Sequence, residues 1–111
     1  AAAVEATGDD TIRTSVMDVA RRLPWPGRYS CRVLKNPFTD RWHDDLDGLV
    51  AAADTVAPQW VAAWEAGDVS VANTFVGEAT GLIGSVQPAA DIVTAMTREA
   101  ETLLGGGWRR D

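Results

Sequence analysis

Between Phe75 and Leu104 the chain reads FVGEATGLIGSVQPAADIVTAMTREAETLL, a glycine-punctuated turn that feeds a proline-started helix. No other segment constrains the fold as strongly. Gly77, Gly81 and Gly84 let the main chain turn tightly, and Pro88 has the fixed φ that suits a first helical residue. Ala89, Ile92, Val93, Met96, Ala100, Leu103 and Leu104 then recur at intervals of three and four, which describes one apolar helical face. A helix of this kind draws most of its stability from packing that face. Gly105 to Gly107 end it, and Trp108 to Asp111 read as a frayed tail.

A length of 111 residues predicts one core at most. The 46% hydrophobic fraction leans on alanine, and five tryptophans (Trp25, Trp42, Trp60, Trp64 and Trp108) compensate with large buriable rings. Sixteen acids against ten bases give a net charge of −6, a field that disfavours nucleic acid and anionic lipid as partners. The sequence has no apolar run long enough for a membrane helix and no signal-peptide pattern, so no membrane partner is expected. The lone cysteine, Cys31, excludes an internal disulfide and fits a reducing, cytoplasmic setting.

The segments before residue 75 are short. AAAVEATGDD reads as a brief helical stretch broken at Gly8. Thr11 to Val19 suits a strand, with a helical turn over Met17 to Arg22 as the competing reading. Leu23-Pro24-Trp25-Pro26-Gly27 stops regular structure, with Trp25 expected as a lid on the core edge. Tyr29 to Leu34 is a second strand, and paired with the first it makes a small antiparallel unit that has to lean on helices. Thr39 or Asp40 offers N-cap chemistry, and Asp44, Asp45 and Asp47 crowd the turn that follows, where the helix dipole favours acids. Leu46, Leu49, Val50, Ala53, Ala57, Trp60, Val61 and Trp64 trace one helical face. Pro58 predicts a break near Thr55 to Ala57, and Gly67 a C-cap. Val69 to Val76 is ambiguous between strand and helix. The expected architecture is α+β, mainly helical: one incomplete unit over 1–111, with small-domain strands and helix at about 11–76 and the terminal helix at about 86–104.

No self-sufficient catalytic constellation is visible. His43 is the only histidine, and its neighbours Asp44 and Asp45 fan out around a helix. The acids at 44, 45 and 47 lack the central glycine and terminal glutamate of a calcium loop. Cys31 reads as a small core residue and Lys35 as an ordinary surface amine. The glycine segment lacks the lysine and spacing of a phosphate-binding loop, so a tight turn passing close to neighbouring backbone is the simpler reading. Trp60 and Trp64, one helical turn apart, suit core packing better than a stacking wall for a planar ring.

Three stretches, DDTIRTSVMDVARRLPWP, VLKNPFTDRW and the Phe75–Leu104 segment, resemble in order and spacing the C-terminal part of nitronate monooxygenases, also called 2-nitropropane dioxygenase-like enzymes. The last stretch is similar as well to flavin-dependent enoyl-acyl-carrier-protein reductases of the same superfamily. The resemblance implies a TIM-like barrel holding FMN, capped by a smaller second domain, that oxidises alkyl nitronates with O₂. It implies that Gly77, Glu78 and Gly81 approach the flavin side of the barrel. Many relatives carry Gln at the Glu78 position, and a carboxylate there opposes an electron-rich reduced flavin.

A (β/α)₈ barrel takes about 250 residues. The expectation is therefore a C-terminal fragment of a TIM-barrel flavoenzyme with parts of its second small domain. The catalytic and phosphate-binding segments, and the small-molecule substrate they hold, lie outside this stretch. Such a fragment has no catalytic residue of its own, binds FMN weakly if at all, and leaves apolar surface uncovered around Trp25, Phe38, the Trp60–Trp64 face and Leu82. The alternative is a non-catalytic helical module that docks an amphipathic helix on a partner protein.

Overall fold

Strand β1 (Thr11–Thr14) pairs antiparallel with β2 (Cys31–Leu34), in the register Thr11 to Leu34 and Thr14 to Cys31. This is the predicted two-stranded unit, seen here in a computed structural model that describes residues 2–107. The helices are α1 (Ala2–Glu5), α2 (Val16–Ala20), α3 (Pro37–Trp42), α4 (Leu46–Ala51), α5 (Ala53–Ala66) and α6 (Ala89–Thr102). The architecture is α+β and mainly helical, with more short helices than the sequence suggested. Tight 3-10 turns cover Gly8–Asp10 and Glu78–Leu82.

The Thr11–Val19 segment divides at Ser15. Its first four residues are strand, and the helical alternative takes over from Val16, burying Val16, Met17 and Ala20. A further strand turn would have placed Asp18 beside Ile12, Thr14 and Val16. Helix lifts Asp18 away from that row while its apolar neighbours enter the core. Arg22 ends α2 in the left-handed region (φ 56) and pairs with Asp54 of α5.

Helix α3 starts earlier than predicted, and its cap is Asn36 rather than Thr39 or Asp40. The Asn36 side chain accepts from the Thr39 N–H at 2.9 Å, while the Thr39 hydroxyl accepts from the Asn36 N–H at 2.8 Å. Pro37 then occupies the first helical position, where a missing N–H costs nothing. Asn36 also donates to the carbonyls of Val69 and Ala72, which ties the loop after α5 to the start of α3.

The break predicted near Thr55 to Ala57 lies instead at Ala52, three residues before that range. Pro58 sits inside α5 as its sixth residue, where its missing N–H leaves one intrahelical hydrogen bond, that to the Asp54 carbonyl, unmade. Asp45 caps α4, accepting from the Gly48 N–H at 3.0 Å, as the acid cluster suggested. Gly67 closes α5 in the left-handed conformation (φ 68), the geometry that favours glycine at a helix end.

The core gathers Val16, Met17, Ala20, Val33, Phe38, Trp42, Leu49, Val56 and Trp60, so the hairpin does lean on α2 to α5. Val69–Val76 is mostly turn, with Phe75 bridging to Val33 as a single added rung. Phe38 and Trp60 are buried, contrary to the expectation that they face an uncovered surface. Trp25 is no lid. It stands 60% exposed, edge-on to Tyr29 with ring centroids 6.0 Å apart. Two flanking prolines hold that segment out in a loop.

Beyond Leu82 the chain leaves this body. Every residue of α6 is exposed, and the radius of gyration is 18.4 Å, against about 13 Å for a compact chain of similar length. Trp108–Asp111, read from sequence as a tail, lies outside the described residues.

Candidate functional site

The predicted flavin-side residues Gly77, Glu78 and Gly81 share one exposed turn. Thr80 is buried beneath it and donates to the carbonyl of Ala3 at 3.3 Å. Gly81 presses on the N-terminal segment: a Cβ there would stand 3.4 Å from the Gly8 nitrogen and 3.5 Å from the Thr7 Cα. The close approach that glycine permits is therefore used on the chain's own backbone. Glu78 pairs with Arg32, which also donates to the Thr11 hydroxyl at 2.9 Å.

Around this turn the three sequence stretches meet. The Lys35 N–H donates to the carbonyl of Asp10 at 2.8 Å, and its ammonium to that of Asp9 at 2.7 Å. The Val76 N–H donates to the carbonyl of Arg32 at 3.2 Å. Residues from 8–10, 32–35 and 75–81 thus form a single junction. It carries a carboxylate at its exposed edge, and its cation Arg32 is already engaged by that carboxylate. A phosphate needs free N–H groups and unopposed positive charge. The junction by itself does not fit the phosphate of FMN.

His43 and Cys31 flank the hairpin without forming a reactive pair. The His43 Nδ1 lies 3.1 Å from the Thr14 hydroxyl, and the Cys31 thiol donates to the Thr14 carbonyl at 3.3 Å. Burial, followed by the charge of Asp18, pushes the Cys31 thiol above its ordinary value, which keeps it protonated. No group of three or more His, Cys, Asp or Glu side chains among the described residues is placed to hold a metal. No described helix is long and apolar enough to cross a membrane.

A second locus was not anticipated from sequence. A cleft of about 450 Å³ opens between α2 and β2, lined by Asp18, Arg21, Leu23, Trp25, Tyr29, Ser30, Cys31 and Phe75. Arg21 stands over two rings, with its guanidinium carbon 5.5 Å from the Trp60 centroid and 5.9 Å from that of Phe75. It makes no ion pair among the described residues. Arg28 stacks on Tyr29 at 4.8 Å, and Arg13 donates to the Ser30 carbonyl at 3.2 Å, so positive charge rings the cleft in an acidic chain. Asp18 is the one acid on the lining, and burial raises its carboxyl above the ordinary value. Arg21, Tyr29, Trp60 and Phe75 share no motif in the sequence, and only the tertiary fold brings them together.

Trp64 stacks on Trp60 at 5.4 Å with 17° between the planes, and the outer ring is half exposed. The pair is therefore part core and part surface. The Trp60 indole N–H and the side-chain amide of Asn73 are buried without hydrogen-bond partners among the described residues.

Comparison with known proteins adds no family. No protein-family model matches the chain, and neither a curated protein nor a solved structure matches it significantly.

Proposed function

We propose that this chain is the C-terminal part of an FMN-dependent oxidoreductase of the nitronate monooxygenase type, in which a barrel outside these residues carries the flavin, its phosphate site and the catalytic base. One observation carries the reading: the three stretches that resemble the family touch one another at Asp9–Asp10, Val33–Lys35 and Phe75. The exposed apolar residues Leu82, Val86, Val93, Met96 and Leu104 support it too, since they supply a face for a barrel to cover.

In this reading the chain positions and covers. Its junction turn brings main chain toward the flavin side at Gly77 and Gly81, and the hairpin with α2 to α5 forms part of the small domain. FMN, when bound by the whole protein, supplies the electron transfer to O₂. The test is the full product of the reading frame that contains Ala1–Asp111. Purified, it should be yellow with bound FMN and consume O₂ when given an alkyl nitronate, whereas the 111-residue chain alone should do neither. A colourless full product that ignores nitronates refutes the reading.

A second reading, a non-catalytic helical module that docks on a partner protein, is favoured by α6, whose amphipathic face is wholly exposed. Sedimentation of the 111-residue chain separates the two. A docking module gives a monomer or a defined oligomer, and a part of a larger fold gives heterogeneous association.

A further inference from the structure

We propose that the cleft between α2 and β2 is a binding site for a planar aromatic monoanion, its carboxylate held by Arg21 and its ring set among Trp25, Tyr29 and Phe75. The inference stands independently of the flavin reading.

Four observations lead to it. The cleft has the volume of a small-ligand site, and its lining is mainly apolar and aromatic with few polar groups. Arg21 is held by two aromatic faces, which fix the guanidinium without using its fork of N–H donors. That fork matches a carboxylate in two parallel hydrogen bonds. Arg13 and Arg28 at the rim, through Ser30 and Tyr29, add positive potential that draws an anion inward.

The ring of the ligand follows from the walls. Trp25 and Tyr29 present an edge-to-face pair largely open to solvent, and Phe75 is half exposed on the other side. Flat faces favour a flat ligand, by stacking and by edge contacts. Asp18 opposes an anion, so the site binds with moderate affinity, and its charge predicts an effect opposite in sign to that of Arg21.

The experiment titrates the intact 111-residue chain with benzoate, following tryptophan fluorescence and binding heat. Benzamide serves as the neutral isostere and cyclohexanecarboxylate as the non-planar acid. Benzoate should saturate one site, with both controls weaker. Arg21→Gln should weaken benzoate about tenfold or more, Arg21→Lys should restore part of the loss, and Asp18→Asn should tighten binding. Arg21 is exposed and Asp18 half-buried, and the opposite shifts expected of Arg21→Gln and Asp18→Asn cannot come from a common folding defect. Failure of benzoate to bind overturns the proposal, as does undiminished binding to Arg21→Gln, looser binding to Asp18→Asn, or either control binding as tightly as benzoate. Each result is independent of flavin content, so it leaves the flavoenzyme reading untouched.

Discussion

Helices α5 and α6 have the same length, fourteen residues each, and opposite fates. By sequence α6 is the better helix: its apolar stripe is unbroken, while α5 contains Pro58. Yet α5 buries Val56, Trp60 and Ala63, and α6 buries nothing. Periodicity specifies a face, and the rest of the fold decides whether a partner for it exists. Helix α5 packs against α2 and α4, which also pack on each other, with Met17 and Leu49 fully buried. The chain after Leu82 passes out of the body before α6 begins, so its stripe meets no such surface. A helix stabilised by propensity alone is marginal at this length, which makes α6 the softer of the two.

The difference can be broken most directly in the body. Leu49→Ala should cost about 2–5 kcal/mol, because the side chain is fully buried and its neighbours cannot all relax into the cavity. Urea unfolding followed by tryptophan fluorescence reads it. A loss under about 1 kcal/mol would mean the body is not packed as described.

Gly81→Val should cost about 1–3 kcal/mol, since the branched side chain is driven against Gly8 and Thr7. Faster amide exchange over residues 77–83, with the α5 amides unchanged, would locate the damage at the junction. Unaltered exchange there would remove the close approach from the argument.

A smaller loss, about 1 kcal/mol, is expected for Asn36→Ala, which removes the α3 cap and frees the loop after α5. Thermal unfolding of this variant beside Asn36→Asp separates the two effects. The aspartate keeps the cap acceptor and loses the donor to Val69 and Ala72.

Asp18 gives a pH signature. Burial raises its carboxyl in the folded state above the unfolded value of about 3.9, so the folded chain holds the proton more tightly. Its contribution to stability is full below the unfolded value and is lost as pH rises through the folded one. Asp18→Asn should therefore stabilise the body at pH 7, within about 0.5 kcal/mol, and the gain over wild type should vanish by pH 3. A gain that grows on acidification contradicts the assigned burial.

The smallest effect belongs to the arm. Met96→Ala should change unfolding of the body by less than about 0.5 kcal/mol, because its side chain is 64% exposed. A loss comparable to that of Leu49→Ala would show that α6 has a partner surface after all, and would erase the contrast with α5.

Much of the local structure was legible in the residues. The two strand segments, the Gly67 cap, the acid-led turn before α4 and the presence of a helix within 86–104 follow from short-range chemistry that a linear reading captures, while α6 itself is shorter, Ala89–Thr102, with Pro88 as its cap rather than its first residue. The misplacements share one cause. Asn36 displaced Thr39 and Asp40 as the α3 cap because it also reaches Val69 and Ala72, more than thirty positions away. The break lies at Ala52 rather than near Thr55 to Ala57, and on either side of it Leu49 and Val56 both enter the core that holds Met17. For the glycine turn, sequence supplied the tight approach but not its target, which is the backbone of Thr7 and Gly8. The Arg21 cleft was invisible, since no spacing along the chain announces that the rings of Trp60 and Phe75 will each stand within 6 Å of the Arg21 guanidinium.

By itself the sequence determined which segments can be strand or helix and which residue types can cap them. Those choices depend on backbone sterics, on N–H and C=O groups a few residues apart, and on the spacing of apolar side chains. Tertiary structure alone decided which apolar faces are covered, where α4 gives way to α5, and that an arginine comes to rest between two rings. Burial and cation–π contact depend on distances between residues remote in sequence, and those distances exist only once the chain has closed around its core.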